Sequence, residues 1–224
     1  ARQIAKKSEK TYDGGVESGQ TTSIKDYNFL RDRYFFIDST FKANFYPLDE
    51  LNMHTYYTNH RAVGEFELYQ KVTTAENPAL IHADAYLDPQ VPSSYSIGGT
   101  WNKLEENTDY IIDRLLGYVR INSVQNAIAI SYTTTIYEPS TKTYGSDQYP
   151  TGTNFKSVYD ECLIENPDTY MDECGGLITL KLLKDIETST PNSLTWPLMF
   201  KNVYSLGGSN IDPNGLEVEI LLDE

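Results

Sequence analysis

The sequence has few of the residue types on which most protein chemistry depends. Its 224 residues include 2 cysteines, 3 histidines, 3 methionines and 2 tryptophans. Lysine and arginine number 18 against 32 acidic residues, a formal net charge of −14. Such a chain lacks the basic footprint of proteins that bind nucleic acid or an anionic membrane surface. No segment approaches the ~20 apolar residues of a membrane helix. We therefore expect no nucleic-acid partner and no direct membrane insertion by this segment.

The first residues, 1–7, lack the apolar run that follows the charges of a secretory signal peptide. If the protein is exported, we expect this sequence to be a mature form or a fragment of a longer chain.

Motifs for catalysis and metal binding are also scarce. The histidines are His54, His60 and His82, and neither a G-x-S-x-G nucleophile motif nor a glycine-rich phosphate loop accompanies them. His82 and Asp84 alternate along one strand face, but two ligands do not make a zinc site. We expect no catalytic residue, no metal and no cofactor. A calcium site is the alternative for one acidic loop, whose oxygen ligands would come from Asp160, Glu161, Asp168, Asp172 and Glu173.

What the sequence does have is aromatic residues and alternating apolar positions. Tyrosine and phenylalanine number 18 and 8, and such residues suit pleated, half-buried strands. In residues 64–72, Phe66, Leu68 and Val72 alternate with acidic or basic residues. Further strands are predicted over residues 79–86, 108–113, 118–121, 127–133, 177–183 and 216–222. Gly117 is the predicted turn residue of a hairpin formed by 108–113 and 118–121. The fold class predicted is mostly β, an antiparallel β-sandwich with one or two short helices.

The chain divides into a polar leader or linker over residues 1–26 and a single β-rich domain over 27–224. Residues 27–46 are dense in aromatics, and a short helix carrying Phe41 and Phe45 is predicted there. Asp38 or Ser39 would cap it and Pro47 would stop it. We expect these aromatics to close one end of a β core, with an aromatic docking surface as the alternative.

Residues 138–176 break the strand pattern and are predicted to form one long loop insertion. The loop holds both cysteines, and an even pair in a polar loop indicates a disulfide between Cys162 and Cys174 formed in an oxidising compartment. Two free thiols are the alternative, and titration of the native protein with a thiol reagent distinguishes the two.

Four ordered stretches resemble a known family. They are G-G-T-W-N-K-L-E-E-N-T-D-Y at 98–110 with L-G-Y-V-R-I at 116–121, then A-I-A-I-S-Y at 127–132, L-K-L-L-K at 180–184 and M-F-K-N-V-Y-S-L-G at 199–207. This series resembles the repeated extracytoplasmic domain of the SprA (Sov) family, the outer-membrane translocon of type IX secretion and gliding motility in Bacteroidetes. Asn107 stands where the family pattern has glycine, and the loop with the two cysteines looks like an insertion.

The resemblance implies a non-enzymatic extracytoplasmic β domain associated with the outer membrane, on its periplasmic or cell-surface side. Such a domain would serve protein secretion and gliding motility by scaffolding and by contact with protein partners of the complex. Segments 202–204 and 216–222 are the predicted structural junctions. The alternative is an exported carbohydrate- or surface-binding module whose ligand is a glycan, with Trp101 and Trp196 as candidate platforms, although burial is the expected fate of both.

Overall fold

A computed structural model describes residues 2–13, 16–45, 61–73, 80–123, 126–156, 178–201, 203–206 and 217–222. For 2–13, 16–22 and 217–222 the description is of the backbone. Cys162, Cys174, His54, His60 and the five acidic residues of the predicted calcium alternative lie outside these ranges, and so do residues 157–176 of the predicted loop insertion.

Strands dominate the described residues, as predicted. They are β1 (Arg2–Asp13), β2 (Val16–Lys25), β3 (Tyr34–Phe36), β4 (Arg61–Lys71), β5 (Ile81–Tyr86), β6 (Ser96–Lys103), β7 (Tyr110–Asp113), β8 (Tyr118–Ile121), β9 (Ile128–Glu138), β10 (Thr143–Tyr144), β11 (Tyr149–Pro150), β12 (Ile178–Lys184) and β13 (Glu217–Leu222). The described helices are α1 (Ser39–Phe45) and a 3-10 turn over Trp196–Leu198. The mostly β, sandwich-like fold class is thereby confirmed.

The chain forms two compact units, residues 1–31 with 201–224 and residues 32–200. In the first unit, β1 pairs with β2 and with β13, both antiparallel. Residues 2–13 and 16–25 therefore form strands, within the segment 1–26 that was predicted as a polar leader or linker. The apolar positions there are too few to signal a strand, and the strands are identified by their pairing, which runs from Gln3 with Lys25 to Asp13 with Val16.

The predicted junctions pair within the chain in the same unit. Strand β13 pairs along β1, and Tyr204 forms an isolated bridge with Phe29. The amide of Leu30 donates to the carbonyl of Val203 at 2.8 Å, and the Tyr204 hydroxyl donates to the carbonyl of Asp26 at 3.0 Å. The C-terminal residues thus hold the N-terminal ones through backbone pairing.

The main sheet of the second unit closes on itself. Its order runs β9-β12-β5-β6-β4, and β4 also pairs with β9, so that each of these five strands is paired on both sides. The pairs are antiparallel except β12 with β5, which is parallel, so the sheet is mixed rather than purely antiparallel. Closure removes unpaired strand edges from this ring.

The interior of the closed sheet is filled by alternating residues of the five strands. The cluster comprises Tyr69, Ile81, Ala83, Ala85, Ile97, Trp101, Ala127, Ala129, Ile178, Leu180 and Leu182. Trp101 is fully buried, and its indole nitrogen donates to the Ala83 carbonyl at 3.1 Å. Small residues on β5 and β9 leave room for this one large ring, because interiors pack to near-crystalline density.

A second sheet, ordered β3-β8-β7, forms the other layer and contacts β4. The Phe66 and Tyr110 rings meet edge to face with centroids 5.6 Å apart, and the amide of Val63 donates to the Arg114 carbonyl at 2.7 Å. β4 is therefore covered on both faces. Glu67, predicted to face solvent, is buried and paired with Lys103 and the Tyr69 hydroxyl, beside a register shift between Val63 and Phe66.

Strand β6 runs through Gly98-Gly99, a pair of residues more typical of a loop than of a strand. Gly99 is favoured by its backbone conformation, and Gly98 lies close to a side chain of the neighbouring strand β5. A Cβ at Gly98 would lie 2.5 Å from Asp84 Oδ1, and Gly99 has a φ of +136° with the Lys71 ammonium 3.2 Å from where its Cβ would be. Glycine inside a strand is expected where another group approaches the backbone.

Helix α1 forms as predicted, with Asp38 as its cap. The carboxylate atom Oδ1 accepts hydrogen bonds from the amides of Thr40 at 2.8 Å and Phe41 at 3.0 Å. Phe41 and Phe45 are buried, and Phe45 and Phe36 each lie 4.9 Å from the Phe200 ring. The described aromatics of this region except the exposed Tyr27 therefore contribute mainly to the core, as expected, rather than to a docking surface.

Gly117 is the turn residue on which α1 and the second sheet both depend. Its φ is +66°, and an added Cβ would lie 2.1 Å from two ring carbons of buried Phe41. We expect Gly117→Ala to lower the free energy of unfolding by about 2–4 kcal/mol, from left-handed strain and overpacking together. Gly152→Ala, at a φ of +87° but with contacts of 3.3 Å, is the matched control for strain alone. Equal losses for the two variants in urea denaturation would contradict the packing contribution.

Candidate functional site

A cleft of about 460 Å³ opens in the second unit where α1, the β5–β6 loop and the 3-10 turn surround strands β9 and β12. It contains four charged residues, two of each sign, and a rim of prolines and leucines. The lining residues used below are Asp38, Arg61, Asp88, Tyr132, Lys181 and Leu194. These residues come from separate segments of the chain, so only the folded second unit assembles the cleft.

Asp38 and Tyr132 join α1 to β9 at the cleft. The Tyr132 hydroxyl donates to Asp38 Oδ2 at 2.9 Å, while Oδ1 of the same carboxylate caps the helix. Burial, together with the charge of Asp38, raises the pKa of Tyr132 far above its ordinary value. Both carboxylate oxygens of Asp38 are therefore occupied by the fold, and Tyr132 stays a neutral hydrogen-bond donor at physiological pH.

Asp88 organises the loop between β5 and β6. Its Oδ1 accepts the amide of Gln90 at 3.0 Å, and its carbonyl accepts the Ser94 hydroxyl at 2.9 Å, in the manner of an Asx turn. The preceding carbonyl, of Leu87, then faces β12 and accepts a hydrogen bond from Lys181 Nζ at 3.1 Å. The loop thereby fixes the position of the lysine.

Lys181 lies on the outward face of β12, between Leu180 and Leu182 of the interior core. Its side chain is half-buried, and burial lowers the pKa of its ammonium, an effect opposed by the charges of Asp38 and Asp88. An ammonium carries three donors, and the Leu87 carbonyl takes one. The site thus holds a partly desolvated cation with donor capacity to spare.

Arg61 stands at the other side of the cleft, at the start of β4. Its guanidinium donates to Thr134 Oγ1 at 3.2 Å and lies 5.8 Å from the centroid of the Tyr149 ring. Stacking and hydrogen bonding restrict this long side chain, although it remains exposed. Arg61 and Lys181 together supply fixed donors, which suits a ligand with oxygen acceptors.

The residues singled out from the sequence lie elsewhere. His82 is exposed on β5, and among the described residues no cluster of histidine, cysteine and acidic groups could hold a metal. Trp101 is fully buried in the closed sheet and Trp196 is half-buried in the 3-10 turn, so Trp101 offers no surface for a sugar. The cleft residues were not predicted, because their shared location depends on strand closure; the one signal was Asp38, identified as a helix cap.

No protein-family model matches the sequence, and neither does any curated protein. None of the helices in the described part of the chain is long and apolar enough to cross a membrane.

The raised pKa of Tyr132 predicts a pH dependence of stability. Because the folded state keeps the phenol neutral, its stabilising effect is complete below the unfolded pKa of about 10 and is lost as pH rises above it. Tyr110, whose pKa burial raises to about 12, contributes in the same direction. We expect the free energy of unfolding to fall above pH ~10 by up to ~1.4 kcal/mol per pH unit for each such tyrosine.

Tyr132→Phe should make this fall less steep, whereas Tyr27→Phe, at an exposed ring, should not. Urea denaturation at a series of alkaline pH values measures the slope. An unchanged slope in Tyr132→Phe would show that this phenol ionises as readily in the folded state as in the unfolded chain.

Proposed function

We propose that this chain is a non-enzymatic extracytoplasmic domain of a SprA-like outer-membrane translocon, and that it serves secretion and gliding motility by binding protein segments. The observation that carries the proposal is where the family-like stretches lie. Three of the four stretches form β6, the β7–β8 hairpin, the start of β9 and the end of β12, all within residues 32–200, whereas most of the fourth, at 199–207, belongs to the other unit. A resemblance that lies mainly on the strands of one packed unit is what a shared domain would produce.

The residue at position 107, where this sequence differs from the family pattern, is also compatible with a shared domain. Asn107, where the family pattern has glycine, adopts a φ of +68°. Glycine reaches this left-handed region most easily, and asparagine is among the few other residues that tolerate it. The substitution therefore keeps the backbone conformation that the glycine of the family pattern would allow.

At the closed sheet, protein contact through side chains fits the fold better than strand addition, since the described edge strands β2, β7 and β13 lie in other sheets. The five strands of the closed sheet are paired on both sides, and β3 is bridged by Met199 and by the amide of Phe200, which donates to the Tyr34 carbonyl at 2.8 Å. The cleft, by contrast, presents the ammonium of Lys181, which is described with one acceptor, and an exposed apolar rim. We therefore assign the contact with a partner to the cleft.

Photocrosslinking in cells tests this function. A photoreactive amino acid would replace Leu194, which is 56% exposed on the cleft rim, or Ile111, which is 46% exposed on β7, within the native polypeptide. We expect crosslinks to exported proteins or to components of the secretion complex, and in-frame deletion of residues 32–200 should reduce the protein released into the medium. Unchanged secretion and motility, together with no protein crosslink at either site, would contradict the proposal.

The carbohydrate-binding alternative now lacks its main candidate platform, since Trp101 is enclosed on every side. No feature of the described cleft favours a neutral sugar over a peptide. A glycan is therefore tested as a competing ligand in the binding experiment with this cleft.

A further inference from the structure

We propose that the cleft binds an extended peptide segment, and that a carboxylate of this peptide forms a charge-assisted hydrogen bond with the ammonium of Lys181. This inference rests on the proposed function and names the chemistry of the partner. The carboxylate can come from an acidic side chain or from a free C-terminus, which present the same group to the lysine.

The first reason is the unequal use of the charged groups in the cleft. Both oxygens of Asp38 already accept hydrogen bonds, and Asp88 Oδ1 accepts the amide of Gln90. Lys181, in contrast, is described with a single acceptor, the Leu87 carbonyl, although its ammonium carries three N–H groups. A ligand that brings acceptors therefore finds partners, while a cationic ligand would compete with the fold for Asp38.

The second reason is desolvation. Lys181 is half-buried on the outer face of a central strand, so part of its hydration is already lost in the folded protein. A carboxylate that reaches it forms a charge-assisted hydrogen bond in a medium less polar than water, where such bonds are strongest. Arg61, held against Thr134 and Tyr149, adds a second positive charge, so that the two cations of the cleft balance the carboxylates of Asp38 and Asp88.

The shape and rim of the cleft favour a peptide over a small anion. A volume of about 460 Å³ lies in the range of ligand pockets, and Pro89, Pro150, Leu194 and Pro197 line it. These apolar groups can contact the side chains that flank an acidic residue in an extended chain. The overall charge of −14 opposes an anionic ligand at long range, but salt screens that field beyond about 10 Å.

The binding experiment uses the full chain and fluorescent pools of short random peptides. One pool has a central aspartate and an amidated C-terminus, a second has asparagine in its place, and a third has asparagine with a free C-terminal carboxylate. Oligogalacturonate serves as a fourth probe. Lys181→Gln removes the charge, and Lys142→Gln, in an exposed turn, is the matched control.

We expect one or both carboxylate pools to bind the unmodified protein at least tenfold more tightly than the neutral pool, and the first and third pools identify the source of the carboxylate. Lys181→Gln should abolish the difference and Lys142→Gln should keep it. The comparison among pools on the unmodified protein decides the question even if Lys181→Gln does not fold.

Equal binding of the neutral pool, no binding of any pool, tighter binding of oligogalacturonate, or an undiminished preference in a folded Lys181→Gln protein would each overturn the inference. Protein crosslinks at Leu194 or Ile111 in cells, alongside such a result, would leave the proposed function standing and reject only the carboxylate site. Absence of crosslinks would instead argue against the function itself.

Discussion

Replacement of Lys184 by methionine is expected to lower the free energy of unfolding by about 3 kcal/mol, although the two side chains have similar length. Lys184 is only 3% exposed, at the end of β12. Its ammonium, which has three N–H donors, lies within hydrogen-bond distance of four backbone carbonyls, those of Asn126 at 3.4 Å, Asp185 at 2.8 Å, Ile186 at 3.4 Å and Glu187 at 3.0 Å. The lysine thus fixes the backbone that follows β12 by hydrogen bonds to its carbonyls. Methionine has no N–H group and would leave these carbonyls without their donor.

A neighbouring carboxylate sharpens this prediction. Asp32 is 9% exposed, its Oδ2 accepts the amide of Ser189 at 3.1 Å, and its Oδ1 is buried with no hydrogen-bond partner among the described residues. Its charge offsets part of the lowering that burial imposes on the pKa of Lys184. In Lys184→Met the carboxylate stays buried and loses this nearby cation. We therefore expect the double variant Asp32→Asn, Lys184→Met to lose at least 0.5 kcal/mol less than the sum of the single losses.

Urea denaturation of the four proteins of this double-mutant cycle measures the coupling. Lys142→Met, in an exposed turn, should change stability by no more than about 0.5 kcal/mol. A loss as small for Lys184→Met would mean that water replaces the ammonium at all four carbonyls. Strict additivity with Asp32→Asn would show that the two charges do not interact.

The sequence predicted strands wherever one face alternates with another or where an apolar run is bounded by turn residues. Strands β4, β5, β7, β8, β9, β12 and β13 all overlap segments recognised by that rule, although β4 begins three residues earlier and β9 ends five residues later than predicted. Gly117 was identified because a left-handed turn residue is encoded locally. Asp38 was identified as a cap for the same reason, since a helix start depends only on the next three residues.

What the sequence did not show depends on contacts between distant residues. The glycines of β6 look like loop residues until Asp84 and Lys71 are placed beside them. The polar strands β1 and β2 lack the apolar alternation that identifies a strand, and closure of the main sheet rests on β4 pairing with both β6 and β9. Strand order is non-local, and the cleft, formed by loops and strands far apart in sequence, follows from that order.

Lys181 illustrates the same limit at the level of one residue. In the sequence it is a lysine within an apolar strand, the usual signature of a position that faces solvent. Whether such a lysine is merely solvated or is a ligand-binding group depends on the Leu87 carbonyl and on the helix cap at Asp38, which lie 94 and 143 positions away. The sequence pattern indicates which face of the strand Lys181 lies on, but it does not indicate its hydrogen-bond partners.

The second large effect is expected for Trp101, the largest fully buried side chain of the closed sheet. Trp101→Ala should cost about 3–5 kcal/mol, because the cavity left among Ile81, Ile97 and Leu180 cannot collapse while the ring of paired strands holds its diameter. Trp101→Phe keeps most of the volume but loses the indole donor to the Ala83 carbonyl, and should cost less, about 1–2 kcal/mol.

Trp196→Ala is the matched control, since Trp196 is half-buried at the 3-10 turn and should lose less than half as much stability as Trp101→Ala. Chemical denaturation followed by circular dichroism compares the variants without relying on tryptophan emission. A loss below about 1.5 kcal/mol for Trp101→Ala would indicate an interior that relaxes around the cavity, as an open sheet could and a closed one should not. It would also restore Trp101 as a residue that could turn outward to a ligand, so this one measurement bears on the closed sheet and on the carbohydrate alternative together.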